Sequence, residues 1–290
     1  MRLLLLGLLL FCGFALTARW VYVCHLRGHC ATQDTSNATQ LLGRPLTLAL
    51  MQGDSAVIDE FQQFAFAKNS PEPIFTENNR VFLATVLAWM QAFPKWHLQI
   101  KGYQLLSESN ERAGWYDWLA LARAAALRDS LVQMGASASQ IDLDFDFLPD
   151  SIGLSQPIAC QALLDDRSHI HQPYTFSHMT FTNRHFLANS DLFEPAPSFF
   201  YYADSLRAWS KTLPNAQLRI TAYADSEAST ESAQRRAQYI ADFLKAYGVG
   251  LQMEIANRGV QQHLVPLSDP LSSLKNRRVE IQLLPMSISE

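Results

Sequence analysis

The clearest pattern of apolar and polar positions lies in the C-terminal part of the chain, across residues 218–284. Leu218 and Ile220 alternate with polar neighbours, which is typical of a half-buried strand. A helix is predicted from about Glu231, because apolar residues then recur with the spacing of one helix face: Ala237, Ile240, Ala241 and Leu244. Gly248 follows at the position where helices commonly end. Two further strands are predicted from alternating apolar residues: Met253, Ile255, Val279, Ile281 and Leu283. The pattern therefore predicts a compact α+β unit.

Three motifs in this stretch resemble the OmpA-like family of peptidoglycan-binding domains. That family has a Gly-His/Tyr-Thr-Asp turn after a strand, an Arg-Ala pair opening a helix, and a closing Asn-Arg-Arg-Val-Glu-Ile run. The matching positions are residues 222–225, 236–237 and 276–281, and the closing run is the most specific match. The turn departs from the family pattern, since Ala222 replaces the Gly and Ala224 the Thr. The resemblance implies a non-catalytic domain that binds the diaminopimelate residue of the peptidoglycan stem peptide.

An internal repeat extends this interpretation to the first half of the chain. Three segments recur at one offset: residues 66–70 with 186–190, 88–89 with 208–209, and 94–100 with 214–220. Further on, Arg123-Ala124 and Gly135 recur at a shorter offset as Arg236-Ala237 and Gly248. The first copy therefore has a longer connection between its second strand and its second helix. A repeat of this length indicates a duplicated domain.

We accordingly predict an α+β fold of two tandem OmpA-like βαβαββ domains, residues 46–182 and 183–290, each a sheet with helices packed on one face. In the first domain, two helix stripes are predicted: Leu83, Val86, Leu87 and Met90, then Ala124, Leu127, Leu131 and Met134. Its strands are predicted at residues 98–100 and 141–147, with an added strand at residues 46–51. Residues 174–181 are interpreted as its closing strand, because residues 149–171 have no clear pattern.

The N-terminal residues 1–24 are strongly apolar and predict a transmembrane or signal helix. Two interpretations remain open, a cleaved signal peptide and an uncleaved signal anchor. The anchor is favoured because the apolar character continues past the small-x-small site at residues 13–15. Both interpretations export the rest of the chain, which is then expected in the periplasm of the cell envelope. The uncleaved anchor would attach it to a membrane, either the inner or the outer one. Residues 25–45 are predicted to be a linker, and residues 24–30 favour a small disulfide loop over a zinc site.

The resemblance also implies a ligand-binding site in the second domain. Diaminopimelate presents an ammonium and a carboxylate close together, so its pocket requires a fixed carboxylate and a guanidinium. Asp225 is the candidate for the ammonium and Arg236 for the carboxylate. Arg277 is a second candidate for the carboxylate, with a solvent-facing role at the strand edge as the alternative, and Asn276 is a candidate to brace the loop. The Asn that the family usually carries in the connecting loop has no direct equivalent, and Ser229 and Thr230 are its stand-ins. The connecting loop is shorter than in the family, and the alternative is a structural ion pair worth about 0–1 kcal/mol.

In the first domain the equivalent site is predicted to be broken. Leu105 replaces the turn aspartate, and Arg123 is expected to lack an acidic partner. The longer loop that follows carries Trp115, Tyr116 and Trp118. These aromatic residues predict either a binding patch for another envelope protein or a segment that folds back onto its own domain.

The composition and the absence of known motifs argue against several classes of function but do not identify one. The formal net charge of −4 gives no basic face for nucleic acid. No nucleophile elbow, phosphate-binding glycine loop or zinc-protease motif is found, so we predict neither an enzyme nor a cofactor. No metal site is predicted from the scattered histidines or from the alternating carboxylates, which are better explained as a solvated strand face: Asp142, Asp144 and Asp146. The alternative function is an envelope scaffold whose domains bind a protein instead of peptidoglycan.

Overall fold

The computed structural model describes residues 44–164, 173–187, 190–213 and 215–284. Both sheets described below belong to one compact unit that begins at Pro45. The predicted N-terminal helix, nearly all of the linker and the loop at residues 24–30 lie outside the described residues. Within the described residues, no helix is both long enough and apolar enough to cross a membrane.

The first sheet has five strands in the order β2-β1-β7-β5-β6. Its strands are β1 (Leu48–Gln52), β2 (Ser55–Phe61), β5 (Trp96–Leu105), β6 (Ile141–Leu148) and β7 (Ile158–Leu164), and β3 (Ala65–Phe66) pairs separately with β4 (Pro73–Ile74). Its helices are α1 (Glu77–Ala92) and α2 (Leu119–Gln133). Strand β1 is antiparallel to β2 and parallel to β7, while β5 is antiparallel to β7 and parallel to β6. The added strand predicted before the first copy is therefore present, inserted between β2 and β7.

The second sheet has four strands in the order β10-β9-β11-β8. Its elements are β8 (His178–Thr182), α3 (Pro197–Ser210), β9 (Gln217–Tyr223), α4 (Thr230–Ala246), β10 (Gln252–Gly259), α5 (Ser272–Asn276) and β11 (Arg278–Leu284). Strand β9 is parallel to β10, and β11 is antiparallel to both β9 and β8. When β1 is left aside, the first sheet has the same strand order and the same relative directions. The duplication of a whole domain nevertheless stays a prediction.

One strand was assigned to the wrong sheet. Residues 174–181 were expected to close the first sheet, but β8 pairs with β11 in the second sheet. Met179 and Phe181 are buried in the second core, which fixes the strand there. The first sheet is closed by β7, within the stretch that showed no pattern. That strand does alternate buried and exposed residues, but its buried positions include the small residues Cys160 and Ala162, so its apolar signal is weak.

Each sheet has its own apolar core. In the first, Leu98 and Ile100 of β5 pack with Leu83 and Val86 of α1 and with residues of α2. In the second, the helix face predicted from the sequence is fully buried against the sheet: Ala237, Ile240, Ala241 and Leu244. Because alternate residues of a strand share one face, the two helices of each core lie on the same face of their sheet. Met134 was predicted in a buried stripe but is 42% exposed, since α2 ends one residue before it.

The aromatic loop between β5 and α2 does not form an exposed patch. Trp115 donates from Nε1 to Ser205 Oγ at 3.2 Å, and its ring packs against Phe176. Trp118 stacks on Phe145, with 6.1 Å between the ring centroids. These side chains are partly buried, and they connect the first sheet to the elements around the second. Trp118 therefore folds back onto its own core, as the alternative predicts, whereas Trp115 packs against residues of the second core. The predicted exposed patch is not formed by these residues.

The same loop places a buried carboxylate against the second sheet. Asp117 is 1% exposed and accepts hydrogen bonds from Thr182, from the backbone nitrogen at 2.7 Å and from Oγ1 at 3.0 Å. It also contacts His185 Nε2. His185 Nδ1 accepts the backbone N–H of Ala196 at 3.0 Å, so its ring hydrogen lies on Nε2 and points toward Asp117. We call this contact the Asp117 joint.

Candidate functional site

Asp225 lies two residues beyond the end of β9, as the turn motif predicts. Its Oδ2 is 2.8 Å from Arg277 Nε, and its Oδ1 accepts a hydrogen bond of 2.8 Å from Ser229 Oγ. Burial on its own raises the pKa of Asp225. The hydrogen bonds from Arg277 and Ser229, together with the charge of Arg277, outweigh burial and leave the pKa below its ordinary value. Asp225 is therefore a fixed carboxylate at neutral pH.

Arg236 lies in the second turn of α4 and is only 8% exposed. Its guanidinium carbon is 4.9 Å from the centroid of the Phe186 ring. Its Nη2 donates a long hydrogen bond of 3.5 Å to the carbonyl of Ser190, and its Nε is 3.5 Å from Asp191 Oδ1. Within the described residues, Nε makes no hydrogen bond. Burial lowers the pKa of Arg236, and the nearby positive charge of Arg277 lowers it further. Arg236 is thus a buried cation with few close partners.

The two charges predicted to share a site do lie near one another, but they do not pair. Asp225 is bound to Arg277, whereas Arg236 lies beside Asp191. The charges of Asp225 and Arg277 act on Arg236, so the three lie at one edge of the second sheet. The alternative of a structural Asp225–Arg236 ion pair is therefore wrong. Arg277, the second candidate for the ligand carboxylate, already contacts Asp225 through Nε, and its role toward a ligand stays a prediction.

The remaining predicted residues support the loops of this site. Asn276 is fully buried, and its Oδ1 accepts from the backbone nitrogens of Leu264 at 2.9 Å and Val265 at 3.2 Å. Its Nδ2 donates to the Val265 carbonyl at 3.0 Å. Asn276 therefore braces the connection between β10 and α5, and its burial keeps it away from a ligand. Ser229 holds Asp225, which is a positioning contact.

Sequence reasoning missed Asp191. Its Oδ2 is 2.7 Å from Arg235 Nε, and its Oδ1 accepts from Ser232 Oγ and faces Arg236. Asp191 is 45 residues from Arg236, in the connection between β8 and α3, so no local pattern joins them. The repeat contained the available signal. Phe186 and Ser190 match Phe66 and Ser70 in the repeat, and each of these residues contacts the helix arginine of its own sheet.

The first sheet contains an equivalent arginine in a different state. Arg123, in α2, is fully buried and was expected to lack an acidic partner. That expectation is wrong, because Glu108 pairs with it through two short contacts of 2.6 and 2.8 Å. Arg123 also donates to the carbonyls of Ser70 at 3.1 Å and Tyr103 at 2.9 Å. Every nitrogen of this guanidinium thus has a close acceptor.

The two arginines have matching surroundings apart from the carboxylate. Each lies over a phenylalanine ring, Phe66 for Arg123 and Phe186 for Arg236. Each also faces a serine carbonyl, of Ser70 and Ser190 respectively. In the first sheet, Glu108 binds Nη1 and Nη2 of Arg123, whereas among the described residues the donor edge formed by Nε and Nη2 of Arg236 has only contacts of 3.5 Å. We call that donor edge, Nε and Nη2 of Arg236, the carboxylate seat.

Comparison with known proteins gives matches among solved structures alone. No family model and no curated protein match the sequence. The periplasmic domain of MotB from Helicobacter pylori is 18% identical, with a TM-score of 0.33 over 39% of this chain and 78% of that chain. The peptidoglycan-associated lipoprotein of Burkholderia pseudomallei is 23% identical, with a TM-score of 0.31 over 34% and 86%. The cell wall anchor of the T6SS from Pseudomonas aeruginosa is 17% identical, with a TM-score of 0.31 over 38% and 81%. At these TM-scores and identities the similarities carry no argument about function or family.

Among the alternating carboxylates of β6, Asp144 lies in an ion-pair network and not on a solvated face. Asp144 contacts Lys101 at 3.0 Å and Lys275 of α5 at 2.8 Å. Lys275 is 4% exposed and lies over the Phe145 ring, so it connects the second sheet's region to β6. Burial on its own raises the pKa of Asp144, but the two lysines outweigh it and lower the pKa. Among the described residues, no group of three or more potential ligands surrounds a metal position.

Proposed function

We propose that the C-terminal domain binds peptidoglycan without cutting it, by holding the diaminopimelate residue of the stem peptide. The observation that carries this proposal is the carboxylate seat. Arg236 is 8% exposed yet, among the described residues, its Nε and Nη2 have only contacts of 3.5 Å, whereas Arg123 is closed by Glu108. A ligand carboxylate on Arg236 would give this guanidinium a close bidentate partner, as Glu108 does for Arg123 at Nη1 and Nη2.

The physical reason is the cost of leaving a buried charge poorly paired. A guanidinium removed from water loses hydration, and close charge-assisted hydrogen bonds are what compensate for that loss. A planar carboxylate matches the guanidinium fork in a bidentate way. The seat therefore favours a carboxylate ligand over a neutral one.

Asp225 supplies the opposite charge for the ammonium of the same amino acid. A carboxylate has about four acceptor positions, and the contacts to Arg277 and Ser229 use two of them. An ammonium can therefore join without displacing either residue. The resemblance to OmpA-like domains supplies the identity of the ligand, because the geometry alone specifies only a group with a carboxylate and an ammonium.

The proposed role of the whole chain is to tether the cell envelope to the wall. In this proposal the chain is a tandem of two domains, with the first a copy that does not bind because Glu108 occupies its arginine. The N-terminal segment would export the chain and attach it to a membrane, so that both domains lie in the periplasm.

A pull-down with purified peptidoglycan tests the proposal. We expect Arg236→Ala and Asp225→Ala each to weaken binding about 10- to 100-fold, the scale of losing a charged hydrogen bond. Arg219→Ala is the matched control, because Arg219 is an exposed arginine of β9 that pairs with Glu254. Thermal unfolding of each variant shows whether it remains folded. If the double variant Asp225→Ala/Arg236→Ala binds as the wild type does, the peptidoglycan proposal is wrong.

A further inference from the structure

Asp191 lies between two arginines of α4 and contacts them unequally. Its Oδ2 is 2.7 Å from Arg235, whose side chain is 47% exposed. Its Oδ1 receives the Ser232 hydroxyl and is 3.5 Å from Arg236 Nε, without a hydrogen bond. The carboxylate is thus held by Arg235 and Ser232 at the margin of the carboxylate seat.

We propose that Asp191 is a built-in competitor for the carboxylate seat, held off Arg236 by Arg235 and Ser232. This inference rests on the proposed function, because the competition concerns the carboxylate of the same ligand. Arg235 is then a positioning residue that keeps the seat open for the ligand.

The first copy shows the closed form of such a seat. There Glu108 lies directly on Nη1 and Nη2 of Arg123 at 2.8 and 2.6 Å, and the backbone nitrogens of Leu105 and Asn69 donate to it at 3.0 and 3.2 Å. In the second copy the internal carboxylate is already within 3.5 Å of the equivalent arginine. Release from Arg235 would leave Asp191 beside a buried, poorly paired guanidinium, which is the stronger attraction because it is shielded from water.

The balance between the two arginines decides how available the seat is. The Arg235 pair is at the surface, where water weakens it, and Glu231 also contacts Arg235 at 2.7 Å. The hydrogen bonds from Ser232 and Arg235 outweigh burial and lower the pKa of Asp191, so the competitor is charged at neutral pH. Ligand affinity therefore depends on a residue that need not touch the ligand.

A cycle of three variants tests this inference, with free meso-diaminopimelate and solubilised peptidoglycan fragments as probes in calorimetry. We expect Arg235→Gln to weaken binding about tenfold, because Asp191 then moves onto Arg236. We expect Asp191→Asn to bind at least as tightly as the wild type, and Arg235→Gln/Asp191→Asn to bind like Asp191→Asn alone. Arg207→Gln is the matched control, since its side chain is also 47% exposed and pairs with Asp204 within a helix.

Two results would overturn the inference. Weaker binding by Asp191→Asn would make Asp191 a direct ligand contact, and a double variant as weak as Arg235→Gln would give Arg235 its own role on the ligand.

A second readout needs no ligand and separates this inference from the proposed function. The Nε–Hε signal of Arg236 in nuclear magnetic resonance should move in Arg235→Gln and return in the double variant. If no variant binds either probe while this signal moves as expected, the proposed function fails, but Arg235 is still shown to hold Asp191 off Arg236. If binding is as proposed and the signal does not move, the competition by Asp191 is wrong.

Discussion

At the scale of single residues, two arginines have similar surroundings but differ in how they are paired. Arg123 is closed by an internal carboxylate, and Arg236 is left with long contacts. Both arginines could be predicted from the repeat, because each occupies the same position in its helix pattern. Their partners could not, because Glu108 and Asp191 are fixed by loops whose course no local periodicity encodes.

The Glu108–Arg123 pair gives a prediction at this scale. Glu108→Ala should destabilise the protein by about 3–5 kcal/mol, because it leaves a fully buried guanidinium without its carboxylate. Urea unfolding at pH 7 measures the change. Glu111→Ala is the control, since Glu111 is an exposed residue of the same loop and should change stability little. An unaltered urea midpoint for Glu108→Ala would show that water can replace the carboxylate as the hydrogen-bond partner of Arg123.

At the scale of elements, α2 lies very close to β5. A Cβ atom added to Gly102 in β5 would come within 1.9 Å of the carbonyl oxygen of Ala120. The equivalent position in β9 is Ala222, which has a Cβ and is fully buried. The sequence predicted both strands and both helices from their apolar periods. The apolar pattern did not reveal β7 or the close approach of α2 to β5. Both depend on small residues, which contribute little to a pattern of large apolar side chains.

Gly102 therefore carries the element-scale prediction. Gly102→Ala should destabilise the protein by about 1–3 kcal/mol or more, since backbone atoms must move to accept the methyl group. Gly250→Ala is a suitable comparison, because its added Cβ would meet only the Ser210 hydroxyl at 4.0 Å. Differential scanning calorimetry of both variants should give a large loss of melting temperature for the first alone. Equal melting temperatures would contradict this close approach.

At the scale of the whole molecule, the two sheets are joined by polar contacts as well as by aromatic packing. The Asp117 joint ties the longer loop of the first copy to β8 and its neighbours. Lys275 makes a second connection through Asp144. The extra residues of that loop could be counted from the repeat offsets. Their use as a connection could not be predicted, because it depends on which surface of the second sheet the loop meets.

These contacts predict a loss of stability in acid. Burial raises the pKa of Asp117, but His185 and the hydrogen bonds from Thr182 outweigh it, so the folded pKa lies below the ordinary value of 3.8. As the pH falls, the unfolded chain therefore protonates Asp117 at a higher pH than the folded chain does. The contribution of Asp117 to the free energy of unfolding is complete above the ordinary pKa and is lost as the pH falls through the folded pKa.

Urea midpoints measured from pH 7 to pH 2 should therefore fall below about pH 4, the ordinary range of an aspartate. Asp117→Asn should lower the midpoint at pH 7 and make the acid limb shallower. Asp54→Asn, at an exposed position, should leave the acid limb as in the wild type. An acid limb of wild-type steepness in Asp117→Asn would contradict the assignment.

The position of β11 has a consequence for how the chain is made. This strand pairs with both β8 and β9, although it follows every other strand of its sheet in the chain. Strand β7 has the same place in the first sheet, between β1 and β5. During synthesis or translocation, neither sheet can close until its last strand has emerged, so the edges of β8 and β9 stay unpaired and open to aggregation until β11 is made.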